Sequence, residues 1–233
     1  MTSKELSKCL REIANPEYAI HSQRFFKTGI GEYGEGDEFL GIRVPVLRKY
    51  AKKYSELSLT EIHKLLKSVY HEERLCALFL LVQKFDDSKH EKSVIYRLYL
   101  DNTKYINSWD LVDCSAYKIV GHYLADKNKS PLYMLAKSKD LWERRIAIIS
   151  TLHFIKNKHY DDTLEISKKL LNDEEELIHK AVGWMLREVG KQDYKVERSF
   201  LLNCYKKMPR MMLRYAIEKF PEPERKKYLR GTI

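Results

Sequence analysis

Glycine and proline are scarce in this chain, with 9 and 6 residues among 233. All-β sandwiches and barrels need many tight turns, which depend on these two residues, so both classes are disfavoured. Acidic residues are also outnumbered: 33 aspartates and glutamates against 43 lysines and arginines give a net charge of +10. A basic excess suits a polyanionic partner such as nucleic acid or an anionic membrane, although surface lysine also serves solubility.

The residues that usually build metal and hydrolytic sites are scattered. Cys9, Cys76, Cys114 and Cys204 form no CxxC or other ligand pair, and each falls on an apolar helical pattern, so we expect small core residues. The eight histidines show no metal-ligand spacing, and the HExxH and GxSxG motifs are missing. We therefore expect neither a metal nor a cofactor, and no hydrolysis through a metal or a catalytic triad.

Long apolar runs are missing as well. The longest, Leu75 to Val82, is far too short to cross a bilayer. The first twelve residues contain no apolar core of a signal peptide. The sequence thus predicts a cytoplasmic protein without a membrane partner.

Helical periodicity is the dominant feature of the chain. Apolar residues recur at a spacing of roughly 3.6 in nearly every segment, as in Ile62, Leu65 and Leu66 after the capping box that begins at Ser58. Alternate helices are predicted to start near 58, 88 (a second capping box, 88–91), 130, 162 and 193, and their partners near 72, 108, 140, 174 and 209. We expect Gly190 to end the helix that starts near 174.

Helix pairs that recur every 30–42 residues predict an all-α fold, an α-solenoid of HEAT-like helix pairs. A helical bundle is the alternative, and the regular spacing argues against it. We expect one domain over 1–233, with a helical part at 1–57 and repeat pairs from 58 to the C-terminus. Its second helices would line the concave, basic face of a single curved array.

A glycine-rich segment at 28–41 interrupts this pattern, with five of the nine glycines. It is acidic and lacks the Lys-Ser/Thr of a phosphate-binding P-loop. We expect an ordered turn or hairpin with a structural role.

Asp113 breaks the rule of apolar residues inside. It follows Trp109 by one helical turn, on a stripe that continues with Ala116 and Val120. Such an acid is either functional or a structural carboxylate that caps a helix or pairs with arginine. The neighbouring Asp110 lies in the first turn, where we expect it to complement the helix dipole.

Basic and aromatic residues recur on the second helices. Arg145 lies on a face otherwise formed by apolar residues, whereas Arg144 is expected in solvent. Gly183, in mid-helix beside Trp184, indicates a close approach by another group, because glycine costs about 1 kcal/mol there. In a solenoid these side chains would share one concave strip suited to nucleic acid: Trp109, Asp113, Arg145, Lys180, Trp184, Arg187 and Arg214.

Four stretches resemble the AlkD-like DNA alkylation repair proteins, bacterial DNA glycosylases built from HEAT-like repeats. They are Phe-Leu-Gly-Ile-Arg-Val-Pro (39–45), Ser-Trp-Asp-Leu-Val-Asp (108–113), Leu-Trp-Glu-Arg-Arg-Ile-Ala-Ile (141–148) and His-Lys-Ala-Val-Gly-Trp-Met-Leu-Arg-Glu (179–188). Together with the pair spacing they span nearly the whole chain. The resemblance implies an active site formed by Trp109, Asp113, Arg145 and Trp184.

Two positions and the insert differ from the best-known member of that family. Phe25 stands in place of a tyrosine that approaches the lesion, and His153 in place of a lysine. The insert at 28–41 is typical of another branch, and some branches bind DNA without glycosylase activity.

The resemblance implies a monomeric repair glycosylase that acts on duplex DNA containing alkylated bases. Its substrates would be cationic purines such as 7-alkylguanine and 3-alkyladenine, whose base leaves as a neutral molecule without base flipping. Asp113 would stabilise the oxocarbenium-like sugar, with Trp109 and Trp184 beside the cation. Arg145, Lys180, Arg187 and Arg214 would bind DNA phosphates. The alternatives are a non-catalytic DNA-binding relative and a protein-binding scaffold; Asp113 with both tryptophans favours the enzyme.

Overall fold

The computed structural model describes residues 1–87 and 92–233, and helices and turns build the fold of these residues. Extended pairing in the described residues is limited to one parallel bridge, between Glu38 and Tyr70. The predicted all-α class is therefore confirmed, whereas the capping box at 88–91 lies outside the described residues. Within those residues, no helix has the length and apolarity that a membrane crossing requires.

The chain divides into two compact units, Met1–Ser115 and Ala116–Ile233, each with its own core. The single curved array and its concave face remain predictions. The first unit contains the helices α1 (Ser3–Glu12), α2 (Pro16–Phe25), α3 (Val44–Lys53), α4 (Leu59–Leu66), α5 (His71–Asp86) and α6 (Lys92–Leu100), a 3-10 turn (Thr103–Tyr105), and α7 (Trp109–Ala116), whose last residue belongs to the second unit.

The centre of the first unit is α5, which packs against α3 and α4. Nearly all of its side chains are buried, including the charged ones in its first turn. The apolar run from Leu75 to Val82 explains this, because a helix that is hydrophobic all round must be covered on every side. Its polar first turn is covered as well, so each charge there needs a partner.

The second unit stacks its helices in succession. A π-helical turn (Tyr117–Gly121) continues α7 and is followed by α8 (His122–Leu124), α9 (Ser130–Leu135), α10 (Leu141–Ser150), α11 (Leu152–Lys156), α12 (Asp161–Lys169), α13 (Glu176–Gln192), α14 (Tyr194–Cys204), α15 (Arg210–Ala216), a 3-10 turn (Ile217–Lys219) and α16 (Glu222–Arg230). The second helices of consecutive pairs, α10, α13 and α15, pack side by side. This is the packing expected of HEAT-like repeats.

Gly183 shows how closely these helices approach each other. A side chain at this position would collide with the Met212 carbonyl oxygen and the Tyr215 side chain on α15. The close approach predicted from this mid-helix glycine is thus confirmed, and the approaching group is the next repeat.

Most predicted helix starts are confirmed, with exceptions at individual caps. Ser58, Asp140 and Asp193 accept hydrogen bonds from backbone amides of the helices that they open. Ser130 instead lies inside α9 and gives no side-chain cap, because the helix begins one residue earlier than predicted. The prediction that Gly190 ends a helix is wrong. The helix continues to Gln192, and the glycine has another reason: a side chain at position 190 would collide with the carboxyl group of Glu197 on α14.

The cysteines divide evenly between core and partly covered positions. Cys76 and Cys204 are buried, as predicted, whereas Cys9 and Cys114 are half-buried. The prediction of four core cysteines is therefore wrong for Cys9 and Cys114. An apolar pattern marks the buried face of a helix but not its edges, where both residues lie.

Candidate active site

Trp109 and Asp113 lie one turn apart at the beginning of α7, and both are half-buried. The covered face of this helix is formed by Leu111, Val112 and Ser115. The predicted stripe with Ala116 therefore has Asp113 at its edge rather than in its centre. A partly exposed carboxylate can reach a ligand, which a fully covered one could not.

The indole of Trp109 belongs to an aromatic corner formed with Phe25 and Phe26 at the end of α2. Phe26 stacks on the indole with ring centroids 5.4 Å apart, and Phe25 meets it edge-on at 6.0 Å. Phe25 is 60% exposed, so this edge of the corner is open to solvent. The structure thus brings Phe25, a position that differs from the best-known member of the family, next to Trp109.

Beneath the corner lies a charged network centred on His71, the first residue of α5. Its Nε2 lies 2.8 Å from an Asp110 carboxylate oxygen, and its Nδ1 lies 3.3 Å from an Asp37 carboxylate oxygen. Asp37 also accepts hydrogen bonds from Arg74 at 2.7 Å and Asn107 at 3.1 Å. Asp110 thus binds a histidine, beyond the dipole role predicted for it.

The carboxylates keep the imidazole charged although it is buried. Burial alone would lower the pKa of His71, but Asp110 and Asp37 outweigh it and raise this pKa to about 9. Burial conversely favours the neutral form of Asp37, but the hydrogen bond from His71 and the charge of Arg74 lower its pKa. At neutral pH His71 is therefore protonated and Asp37 is ionised.

The glycine-rich segment supplies Asp37, and α5 organises the end of that segment. The Glu72 carboxylate accepts hydrogen bonds from the backbone amides of Leu40, Gly41 and Ile42 at 2.7–3.1 Å. Gly41 has a φ of 75°, and a side chain there would collide with the Asn15 carbonyl oxygen, so only glycine fits. The segment forms turns, as one of the two predicted alternatives required.

Arg145 is buried on α10 in the second unit, with 4% of its surface exposed. Its guanidinium donates a hydrogen bond to the Leu177 carbonyl oxygen just inside α13. Arg144, by contrast with its predicted place in solvent, pairs with Asp173 at 2.7 Å and is largely covered. Both arginines thus tie the start of α13 to α10.

The remaining predicted residues of the second unit lie on α13 and α15. Lys180, Trp184 and Arg187 follow one another along α13, so they share one side of that helix. Lys180 pairs with Glu176, Arg187 pairs with Glu218, and the Trp184 indole donates to Glu188 at 3.0 Å.

Two further residues of the second unit, Arg214 and His153, were also singled out from the sequence. Arg214 on α15 is exposed to solvent. His153, where the best-known member of the family has a lysine, stacks on His122 with ring centroids 4.7 Å apart.

Sequence reasoning missed the ring that stacks on Trp109 and the network that is linked to it and to Asp110, namely Phe26, Asp37, Phe39, His71 and Asn107. One signal could have found His71: it opens a helix that is apolar on every side, so its polar first turn must be buried and partnered. For Asp37 and Phe26 no periodic pattern marks the contact, because both lie near or in the irregular segment.

A family model described as DNA alkylation repair enzyme matches residues 6–220, so the chain belongs to the DNA alkylation repair enzyme family. A predicted DNA alkylation repair enzyme from Enterococcus faecalis has a similar structure, with a TM-score of 0.68, 18% identity, and coverage of 90% of this chain and 97% of that chain.

AlkD2 from Streptococcus mutans is a second similar structure, with a TM-score of 0.54, 18% identity, and coverage of 88% and 98%. At this identity both likenesses show the fold alone. A search among curated proteins finds no match.

Proposed function

We propose that this protein is a DNA glycosylase that hydrolyses the N-glycosidic bond of cationic N-alkylpurines in duplex DNA, such as 7-alkylguanine and 3-alkyladenine. The observation that carries the proposal is the placement of a half-exposed carboxylate, Asp113, one turn from the Trp109 indole at an open aromatic corner. Membership of a DNA alkylation repair family supports this choice of substrate. We expect a monomer that acts in the bacterial cytoplasm.

The chemistry requires no general acid. Alkylation at N7 or N3 gives the base a positive charge, so it departs as a neutral molecule. The barrier lies in the positive charge that develops on the deoxyribose, and a fixed carboxylate such as Asp113 stabilises that charge and can orient water. The face of Trp109 offers a negative quadrupole to a cationic base or sugar. For Trp184 we expect the same role from the resemblance to the family.

DNA binding would use the basic residues of the second unit. Lys180 and Arg187 are partly exposed, so they can exchange their glutamate partners for phosphates, and Arg214 is exposed, whereas Arg145 is buried. Arg145 would reach a phosphate by giving up its bond to Leu177, and otherwise it acts by fixing α13 against α10. Phosphate contacts of this kind position a duplex without reading its sequence.

A non-catalytic DNA-binding relative is the second candidate, and Phe25 is the observation that favours it. This exposed ring lies at the aromatic corner without the hydroxyl of the tyrosine that the best-known member of the family has there. The two candidates share the DNA contacts and differ only in bond cleavage.

The two candidate functions are distinguished by measuring release of 7-methylguanine from methylated duplex DNA by the wild type and by Asp113→Asn. The variant keeps the shape of the side chain but removes its charge, so we expect excision to fall by about 10²-fold or more. DNA affinity should hold or rise slightly, because a negative charge near phosphates is lost. Arg145→Ala should lower both affinity and excision.

Wild-type excision by Asp113→Asn, with the change limited to a lower melting temperature, would make Asp113 a structural residue. A wild type that binds duplex DNA but excises no cationic purine would establish the non-catalytic binder. Failure to bind DNA at low salt would leave the protein-binding scaffold.

A further inference from the structure

A charged bridge joins the glycine-rich segment to the helix that carries the proposed active site. We propose that His71 is a positioning residue: by linking Asp37 of the segment to Asp110 of α7, it holds Trp109 and Asp113 in the orientation that excision requires. This inference rests on the proposed glycosylase function. It also assigns a task to the segment at 28–41.

Because of its position in α7, a contact that fixes Asp110 also fixes the neighbouring Trp109 and Asp113. Asp110 follows Trp109 directly and precedes Asp113 by three residues, all within the first two turns of α7. Its Oδ2 lies 2.8 Å from His71 Nε2, whereas its buried Oδ1 has no hydrogen-bond partner among the described residues. His71 is therefore the group that fixes this carboxylate, and with it the start of the helix.

The far side of His71 is anchored independently. Asp37 receives hydrogen bonds from Arg74 and from Asn107, and Arg74 also donates to the carbonyl oxygens of Ser68 and Val69 at 3.0–3.1 Å. The first turn of α5 and the loop between α4 and α5 thus hold Asp37 in place. Because both ring nitrogens of His71 face carboxylates, the geometry fits an imidazolium that donates on both sides.

Ring stacking continues the connection from His71 to the indole. Phe39 and Phe26 pack on the imidazole with centroids 4.5 Å and 4.9 Å away. Phe26 in turn stacks on Trp109 at 5.4 Å. The site is therefore linked to His71 twice, through the Asp110 carboxylate and through the Phe26 ring. A shift of about 1 Å in a reacting group can cost 10²-fold in rate, so support of this kind affects catalysis without touching substrate.

The charge of His71 adds a pH dependence to this bridge. The charged groups that face it are Asp37 from the segment, Asp110 from α7 and Arg74 from α5. Loss of the imidazolium proton would leave one carboxylate opposite a ring lone pair, which weakens the bridge. Excision by the wild type should therefore decline as the pH rises towards 9, where the pKa of His71 lies.

The test compares His71→Phe with Glu73→Gln in the full chain. Phenylalanine keeps a ring packed against Phe26 and Phe39 but cannot bind Asp110 or Asp37. Glu73 is the matched control: it is equally buried on the first turn of α5, but it pairs with Arg11 and Ser68, away from α7. Three quantities are measured at neutral pH: the rate of 7-methylguanine excision, affinity for undamaged duplex, and the indole N–H resonance of Trp109, assigned with Trp109→Phe.

For His71→Phe we expect excision to fall by about 10- to 100-fold. Affinity should stay within about twofold, and the Trp109 resonance should shift or broaden. Glu73→Gln should change neither the excision rate nor this resonance. If His71→Phe fails to fold, Asp110→Asn replaces it in the test, because it keeps the side-chain shape and one acceptor oxygen. It should give the same pattern with a smaller loss of excision rate.

A lower melting temperature for His71→Phe with wild-type excision and an unmoved Trp109 resonance would overturn the positioning role. Equal effects of Glu73→Gln on excision and resonance would also overturn it, because then any damage to α5 would suffice. A wild type without excision would refute the glycosylase instead. In that case the Trp109 resonance still decides whether His71 holds the indole.

Discussion

The rings of Trp109 and Phe26 lie face to face, with centroids 5.4 Å apart and planes within 13° of parallel. The same Phe26 ring contacts His71 at 4.9 Å and Phe39 at 5.0 Å. One phenylalanine at the end of α2 therefore touches the tryptophan of the candidate site, the buried histidine and the glycine-rich segment. Its neighbour Phe25 reaches only the edge of Trp109 and Phe26 and remains largely in solvent.

This difference predicts that the same substitution lowers stability strongly at position 26 and hardly at all at position 25. Phe26→Leu removes an aromatic face that three rings share, so the free energy of unfolding should fall by about 1–3 kcal/mol. Phe25→Leu alters a side chain that is 60% exposed, so its free energy of unfolding should change by about 0.5 kcal/mol or less. Urea unfolding followed by circular dichroism measures both. Comparable losses at the two positions would contradict the central place of Phe26.

The fold could be predicted from the sequence because its repeats satisfy local rules. Ser58, Asp140 and Asp193 cap their helices through side-chain oxygens, as the residue types require. The mid-helix Gly183 predicted a close neighbour, and α15 supplies it. An error occurred where a tertiary contact accounts for the residue type, as at Gly190, which accommodates Glu197 rather than ending its helix.

The candidate site was predictable only in part. Trp109 and Asp113 share a helix, so their spacing alone places them one turn apart. Asp37 and His71 are 34 residues apart, and they meet through an irregular segment that has no period from which a contact could be derived. Arg144 shows the same limit. Periodicity correctly placed Arg144 outside the apolar face that contains Arg145. Its pairing with Asp173, on the loop before α13, depends on how two repeats pack.

Arg214 offers a test of the proposed DNA surface with little risk to the fold, because it is exposed on α15. Arg214→Ala should weaken binding to duplex DNA whatever its sequence. It should also make the slope of log K against log salt less steep by about 1, the effect of one lost phosphate contact. The matched control is Arg230→Ala, an exposed arginine on α16 outside the predicted strip. Binding isotherms at several salt concentrations give both slopes. An equal change in the control would mean that net charge, rather than position, governs binding.

Glu197 on α14 makes the stability of the protein depend on pH. This carboxyl group is 2% exposed and lies against Gly190, and its Oε1 has no hydrogen-bond partner among the described residues. Burial raises its pKa from the ordinary 4.5 to about 9, although the charge of Arg187 opposes the shift. The folded protein therefore keeps this proton between pH 4.5 and 9, whereas the unfolded chain releases it.

Because the folded state binds more protons across that window, the free energy of unfolding should fall as the pH rises, by up to about 1.4 kcal/mol per pH unit from this group. Glu197→Gln is neutral at every pH and should lose this slope, so it should match the wild type near pH 4.5 and exceed it in stability at pH 8. Glu56→Gln, the same change at an exposed position, should leave the slope unchanged. Urea unfolding between pH 4.5 and 9 measures all three proteins. If Glu197→Gln and the wild type gave parallel lines across that range, the carboxyl group would not be held protonated by burial against α13.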